Sequence, residues 1–221
     1  MGKLSDHPIT RSPYAFVIPR LYAIIDPAQA GDRSSLEVAA ALLSAGVQLI
    51  QLRDKRASSR ELWASAQGIG ALVHQSQGIF IVNDRADIAC VVDADGVHVG
   101  QEDLPVEFAR SMLPPGKWVG YSTHFLEQVK EADRSSADYI AFGPVFPTAS
   151  KQNPDPVVGL DGLRAARQAT RKPLVAIGGI TLENAKRVLE AGADSVAVIR
   201  GLIGAPDIGQ RAEEFLKVLG V

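Results

Sequence analysis

Residues 173–201, "PLVAIGGITLENAKRVLEAGADSVAVIRG", contain one complete strand–helix–strand unit. The segments "PLVAIGG" (173–179) and "SVAVIRG" (195–201) are short apolar runs, which is typical of strands that are buried on both faces. Between them, "TLENAKRVLEAGA" has the periodicity of an amphipathic helix, with Thr181 placed to cap its start and Gly192 placed to end it. Because parallel strands need such a crossover, the stretch predicts a βαβ unit.

Similar units recur along the chain from Arg20 onward. The other strand candidates are "RLYAIID" (20–26), "VQLIQLRD" (47–54), "IFIVND" (79–84), "GVHVG" (96–100), "KWVGYST" (117–123) and "YIAFGPVF" (139–146). In the helical segment "SSLEVAAALLSAG", Ser34 or Ser35 can cap the start and Gly46 can end the helix. Eight such strands alternating with helices predict an α/β protein made of one (β/α)8 TIM barrel over residues 20–221.

An open, doubly wound sheet is the structural alternative. It usually has fewer strands and carries a glycine-rich phosphate-binding turn after the first one. Here the first strand is followed by "DPAQAGD", which lacks that turn. The closed barrel is therefore favoured.

Composition excludes several classes of protein. The chain has 221 residues, 46% of them apolar and 22% charged, and its net charge is −2, so we expect a globular protein that binds no nucleic acid. No apolar run approaches the roughly 20 residues of a membrane span. Cys90 is the only cysteine, which excludes an internal disulfide and fits the reducing cytoplasm. Residues 1–19 lack the apolar segment of a signal peptide, and we interpret them as a flexible leader.

Polar residues and glycines follow nearly every predicted strand. In a (β/α)8 barrel the carboxyl ends of all strands meet at one mouth, where the active site lies. The residues expected there are Gln51, Arg53, Lys55, Asn83, Asp84, Gln101, Asp103, Ser122, His124, Thr148, Ser150, Lys151, Gly178, Gly179, Ile199 and Arg200. The mouth therefore brings amides, hydroxyls, cations and two carboxylates together.

The charges at this mouth predict a diphosphate–Mg²⁺ site. Arg53, Lys55 and Lys151 can converge on an anion, and Asp84 and Asp103 can offer the oxygen ligands that Mg²⁺ prefers. In the alternative interpretation, "RDK" is a solvated loop in which the arginine and lysine pair with the intervening aspartate.

The glycines after the seventh strand predict a second anion site. Glycine lets backbone N–H groups and a following helix N-terminus approach a phosphate closely, and "IGGI" is followed by a helix that begins near Thr181. The alternative is that the two glycines only make a tight turn. Two anion sites at one mouth would indicate two phosphorylated substrates.

Seven motifs together resemble the thiamine-phosphate synthase family, which includes the thiazole tautomerases. They are "QLRDK", "IVNDR", "GVHVGQED", "GYSTH", "GPVFPTASK", "AIGGI" and "VAVIRG", in this order from about Leu21 to the C-terminus. The resemblance implies a transferase that joins 4-amino-5-hydroxymethyl-2-methylpyrimidine diphosphate to 4-methyl-5-(2-phosphooxyethyl)thiazole, releasing pyrophosphate and thiamine phosphate. We refer to these substrates as the pyrimidine diphosphate and the thiazole phosphate.

The resemblance also implies roles for individual residues. Mg²⁺ would be bound by Asp84 and Asp103. The pyrimidine diphosphate would be bound by Gln51, Arg53, Lys55, Asn83, Ser122 and Lys151, with Tyr22 and His98 nearby, and Arg53, Lys55, Lys151 and Ser122 would take part in catalysis. The thiazole phosphate would be bound by Thr148, Ser150, Gly179, Ile199 and Arg200.

Two positions depart from the usual family pattern. Ser150 stands where threonine is common, which keeps the hydroxyl. Arg200 stands where serine is common, a larger change. Its backbone N–H can serve the phosphate, and its guanidinium can also bind a phosphate with two hydrogen bonds.

Charge stabilisation by Mg²⁺ and three cations suits a dissociative substitution, in which pyrophosphate leaves before the thiazole nitrogen attacks. That nitrogen carries no proton, so no general base is needed. Three alternatives are a thiazole tautomerase that uses His124 for proton transfer, an aldolase with Lys151 as the Schiff-base nucleophile, and a barrel that binds phosphorylated ligands without turnover.

Overall fold

Eight parallel strands close into a barrel in the computed structural model, which describes residues 17–148 and 155–221. The strands are β1 (Leu21–Ile25), β2 (Leu49–Leu52), β3 (Ile79–Asn83), β4 (Gly96–Val99), β5 (Trp118–Thr123), β6 (Tyr139–Phe142), β7 (Leu174–Ile177) and β8 (Ser195–Val198). Each strand pairs with the next, and β1 pairs with β8. The predicted single (β/α)8 barrel is confirmed.

Helices follow the strands and form the outer layer. They are α1 (Ser35–Ser44), α2 (Ser59–Gln75), α3 (Ala86–Val91), α4 (Val106–Met112), α5 (Leu126–Arg134), α6 (Gly159–Ala169), α7 (Leu182–Glu190), α8 (Arg200–Ile203) and α9 (Ile208–Leu219). A short 3-10 helix, Pro27–Gln29, lies between β1 and α1. Among the described residues, no helix is both long and apolar enough to cross a bilayer.

The predicted helix caps occur where the sequence indicates them. Ser34, not Ser35, caps α1, since its Oγ accepts a hydrogen bond from the Glu37 amide at 3.3 Å while Glu37 Oε2 accepts from the Ser34 amide at 2.8 Å. Thr181 is the N-cap of α7, and Gly192 follows that helix with a φ of +110°. The N-terminal caps Ser34 and Thr181 fix where each helix begins after its strand, which is the mouth side of the barrel.

Successive side chains along each strand point to opposite faces of the sheet, and this produces two apolar layers. Residues such as Ile50 and Val82 point outward and pack against the helices. The alternate residues, including Ile24, Leu49 and Val175, fill the interior. Ile18 is buried with this interior set, so the packed structure begins before Arg20. These side chains fill the barrel interior below the mouth.

Candidate active site

A cavity of about 430 Å³ lies at the carboxyl ends of the strands. Many of the predicted site residues line it: Tyr22, Gln51, Arg53, Asn83, His98, Ser122, Thr148, Gly179, Ile199 and Arg200. Ser150 and Lys151 lie outside the described residues, and their roles stay predictions. The structure thus brings together side chains that the sequence places as far apart as positions 22 and 200.

Five interior side chains form a continuous run of hydrogen bonds across the barrel, which we call the interior network. Gln51 Nε2 donates to Tyr22 Oη at 2.6 Å, and Tyr22 Oη lies 2.9 Å from Tyr139 Oη. Tyr139 Oη lies 3.1 Å from His98 Nδ1, and His98 Nε2 lies 2.8 Å from Ser122 Oγ. Gln51 and Ser122, the two ends, both line the cavity.

Burial keeps the titratable members of the interior network uncharged. It lowers the pKa of the His98 imidazole to about 4, an effect that the charge of Asp103 only partly opposes. Burial likewise raises the pKa values of Tyr22 and Tyr139 well above the usual range of a phenol. At neutral pH the network therefore contains one neutral imidazole and two phenolic hydroxyls.

Gly120 creates the space in which this network meets. In the strand register it lies directly opposite His98 on β4 and Tyr139 on β6. A Cβ atom at this position would collide with the Tyr139 phenol and with the His98 ring. The two rings stack across the glycine with centroids 5.5 Å apart. The glycine in "GYSTH" is thus required by side-chain packing inside the barrel.

Arg53 is held by a carboxylate that the sequence analysis left without a role. Asp26 follows β1, is 5% exposed, and its Oδ2 accepts from Arg53 Nη1 at 2.5 Å. Its other oxygen accepts from the Ala28 amide at 3.0 Å, which fixes the carboxylate in place. Because Asp26 is buried and Arg53 lines the cavity, the guanidinium is oriented before any ligand binds.

Lys55 pairs with the first of the two predicted metal ligands. Its Nζ is 2.5 Å from Asp84 Oδ2, while Asp54 accepts hydrogen bonds from the backbone amides of Arg56 and Ala57. The alternative in which the "RDK" residues pair only with one another is therefore wrong.

The two predicted metal ligands, Asp84 and Asp103, interact with each other. Burial and the neighbouring Asp103 raise the pKa of Asp84 to about 6. Burial acts to raise the pKa of Asp103 too, but hydrogen bonds from Asp84 and from the Gly100 amide, which is 2.7 Å from Asp103 Oδ2, hold that pKa below its usual value. Two adjacent, partly buried carboxyls favour either a shared proton or a cation.

This pair suits Mg²⁺ better than a metal held by protein alone. Within residues 17–148 and 155–221, no group of three or more His, Cys, Asp or Glu side chains is arranged to hold a metal. Mg²⁺ is commonly bound by one or two carboxylates, with water and substrate phosphate completing its shell. Asp84 and Asp103 therefore fit the chemistry of a Mg²⁺ site that is completed by a phosphorylated ligand.

The opposite side of the cavity is formed by backbone. Gly178 and Gly179 have φ values of +100° and +62°, in a region where other residues are strained. A side chain at Gly179 would collide with Phe146 and Pro147, so the loops after β6 and β7 approach each other closely. Arg200 begins α8, is exposed at the cavity, and is absent from the ion pairs found between the described residues.

Asp155 is a further cavity residue that the sequence analysis missed. Its Oδ2 lies 3.4 Å from Nδ1 of His124, and the same nitrogen lies 2.7 Å from the Gly143 carbonyl oxygen. Both side chains line the cavity. These two contacts at the same ring nitrogen fix the orientation of the His124 ring.

Comparison with known proteins identifies the family. The model of the family described as "Thiamine monophosphate synthase" matches residues 21–202. The chain belongs to the thiamine monophosphate synthase family. The matched residues include all eight strands and every residue that lines the cavity.

Individual relatives align with this chain over almost their entire length. A thiamine-phosphate synthase of Koribacter versatilis is 50% identical over 91% of this chain and 96% of its own, and one from Methanospirillum hungatei is 45% identical over 90% and 97%. The solved structure of a thiamine phosphate pyrophosphorylase from Pyrococcus furiosus is 38% identical, covers 91% of this chain and 95% of its own, and superimposes with a TM-score of 0.83.

Within this thiamine monophosphate synthase family barrel, three polar residues escaped prediction for different reasons. Asp26 could have been predicted, because it follows the first predicted strand and so lies at the mouth. Tyr139 stands at the start of β6, where a tyrosine resembles any other core residue. Asp155 lies in a loop whose path no periodicity predicts.

Proposed function

We propose that this enzyme condenses the pyrimidine diphosphate with the thiazole phosphate to form thiamine phosphate and pyrophosphate. The observation that carries the proposal is family membership over residues 21–202, the part of the chain that forms the cavity. The cavity itself supports it, because Arg53 and Asn83 line one part of it, with Asp84 next to Asn83 in the chain, and the glycine-rich backbone at Gly178 and Gly179 lines another part. Two phosphorylated substrates can therefore be held with their reacting ends between these parts.

Arg53 and Lys55 are proposed to bind the diphosphate. Each is paired with an aspartate, so each is held in place, and Arg53 lines the cavity. Oriented cations stabilise negative charge as it develops on a leaving group without first having to reorganise. Asn83, next to Asp84, offers an amide to the same phosphates, and Lys151 is predicted to supply a third cation.

Asp84 and Asp103 would hold Mg²⁺, which when bound supplies positive charge to the departing pyrophosphate. The raised pKa of Asp84 supports this assignment, because a cation would relieve the repulsion between two partly buried carboxylates. Lys55 Nζ, 2.5 Å from Asp84 Oδ2, would then lie beside the phosphate oxygens that this metal binds.

The pyrimidine ring is proposed to bind between Gln51 and Ser122, above Tyr22 and His98. The thiazole phosphate is proposed to bind at Gly179, Ile199 and Arg200, with Thr148, and with Ser150 as predicted from the sequence. Gly178 and Gly179 allow backbone groups to approach a phosphate, and we propose that the backbone at Arg200 contributes more than its exposed side chain.

The proposed reaction needs no proton transfer at the attacking atom. The amino group of the pyrimidine can delocalise positive charge that develops at its exocyclic carbon as the C–O bond to diphosphate breaks. Pyrophosphate leaves with the bonding electrons, and the thiazole nitrogen then donates its lone pair to that carbon. We therefore assign His124 to orientation. The enzyme is expected to act on small molecules in the cytoplasm.

One assay tests the proposal against its alternatives. Purified protein is incubated with both substrates and Mg²⁺, and thiamine phosphate and pyrophosphate are quantified. Equal amounts of the two products support the synthase. Isomerisation of the thiazole without condensation would support a tautomerase. An adduct on Lys151 that is trapped by borohydride would support an aldolase. Binding of both ligands without turnover would support a non-catalytic barrel.

A further inference from the structure

The proposed reaction gives no role to Tyr139 and only a neighbouring role to His98, although both occupy the middle of the interior network. We propose that this network has a single hydrogen-bond direction, from Gln51 to Ser122, and that this direction makes the site select an aminopyrimidine over its 4-oxo analogue. Tyr139 and His98 are then positioning residues that determine specificity. The ligand in this inference rests on the proposed function; the direction of the network does not.

The direction begins at Gln51. An amide nitrogen can only donate, so Tyr22 Oη, 2.6 Å away, accepts from Gln51 Nε2. The hydroxyl proton of Tyr22 is then available to its other partner, Tyr139 Oη, at 2.9 Å. Each hydroxyl has one proton, so a first donor at one end fixes the orientation of the next hydroxyl.

The same argument fixes the tautomer of His98. Tyr139 receives a proton from Tyr22 and donates its own to His98 Nδ1, 3.1 Å away. The imidazole is buried, and a ring that accepts at Nδ1 from Tyr139 has its proton on Nε2. That Nε2–H group donates to Ser122 Oγ at 2.8 Å.

The two ends of the network present the Ser122 hydroxyl proton as a donor and Gln51 Oε1 as an acceptor. Ser122 Oγ already accepts from His98, so its own proton is left for a ligand. Gln51 has used an N–H group, and its Oε1 remains an acceptor. An aminopyrimidine has the complementary pair, a ring nitrogen that accepts and an amino group that donates. The 4-oxo analogue has the reverse, an N–H beside a carbonyl, and would leave buried groups unpaired.

Tyr139→Phe is the matched test because it removes only the hydroxyl. Without that donor, His98 can place its proton on Nδ1, accept from Ser122 at Nε2, and so leave Ser122 Oγ free to accept from the 4-oxo ring. We expect the wild-type enzyme to prefer the amino over the oxo pyrimidine diphosphate by at least about a hundredfold in kcat/KM. In Tyr139→Phe this preference should fall about tenfold, while KM for the thiazole phosphate stays unchanged.

Tyr121→Phe is the control. Tyr121 lies on β5 beside Ser122, but it packs in the outer apolar layer, away from the network. It should keep the wild-type preference, and thermal melts of both variants check that they fold. Equal preference in wild type and Tyr139→Phe would overturn the selectivity role.

The direction can be measured without turnover. ¹⁵N NMR of the protein without substrates should show His98 as the Nε2–H tautomer, and the signal is assigned by its loss in His98→Gln. In Tyr139→Phe the signal should indicate a mixture of the Nε2–H and Nδ1–H tautomers. An Nδ1–H tautomer in the wild type would overturn the direction. If the wild type made no thiamine phosphate, the proposed function would fail, and calorimetric Kd values for the amino and oxo diphosphates would test the selectivity instead.

Discussion

The carboxylate of Asp26 is the buried partner of a cation that faces the cavity. Its replacement by Asn keeps the shape but removes the charge that orients Arg53, at 2.5 Å. We expect Asp26→Asn to lower kcat/KM for the pyrimidine diphosphate by roughly ten- to a hundredfold and to cost about 1–3 kcal/mol of unfolding free energy. Steady-state kinetics and urea denaturation measure the two effects.

The control for this prediction is another Arg–Asp pair at the surface. Asp87 accepts from Arg85 at 2.6 Å, and both side chains are substantially exposed. Because solvent screens such pairs, Asp87→Asn should change neither quantity appreciably. Equal effects of the two substitutions would contradict a special role for Asp26.

The pKa of His98 predicts how stability depends on pH. Burial lowers it to about 4, whereas an unfolded histidine titrates near about 6.5. Between these values the unfolded chain binds a proton that the folded protein does not, so stability falls as pH decreases from about 6.5 toward 4. At pH 5 the loss from this group is about 2 kcal/mol.

Chemical denaturation of wild type and His98→Gln at several pH values tests this. The variant has no such group, so the difference between the two unfolding free energies should change by about 2 kcal/mol from pH 7 to pH 5, in the variant's favour. A difference that stays constant over this interval would contradict a buried, neutral His98.

At the scale of single elements, β5 is the strand that makes the interior network possible. Gly120 lets His98 and Tyr139 meet over its backbone, and a Cβ there would overlap both. We expect Gly120→Ala to destabilise the fold by about 3 kcal/mol, at the upper end for overpacking, and to weaken binding of the pyrimidine diphosphate. Denaturation and calorimetry measure the two losses.

Gly209 supplies the comparison. It lies inside α9, where an added Cβ would make only an ordinary contact of 3.5 Å with the Asp207 side chain. Alanine is the better helix former, so Gly209→Ala should stabilise the protein by up to about 1 kcal/mol. A Gly120 variant that behaved like this one would show that the network has room for a side chain.

The elements also show what could be predicted from sequence. β7, α7 and β8 follow from periodicity and caps, because these depend on neighbouring residues. The mouth residues follow as well, since parallel strands in a barrel end on one side. The partners of Tyr139 do not, because Tyr22 and His98 are 117 and 41 positions away, and their meeting depends on register and on Gly120.

At the scale of the whole molecule, turnover should require a divalent cation. We expect excess chelator to abolish product formation and Mg²⁺ to restore it, and we expect Asp84→Asn or Asp103→Asn to reduce kcat/KM at least about a hundredfold, because each removes charge and a ligand from a small metal shell. Glu102→Gln, at the exposed neighbour of Asp103, should remain active. Undiminished turnover in chelator would contradict the Mg²⁺ assignment.

Because β1 pairs with β8, no strand among the described residues has a free edge. This barrel therefore offers no strand edge to which another polypeptide could add, and this source of aggregation is removed from the native barrel. Deuterium should enter the strand amides only when the entire ring of hydrogen bonds opens, whereas amides in the connecting loops exchange through local motions. The residues that face the substrates at the strand ends are therefore attached to the part of the protein that opens most slowly.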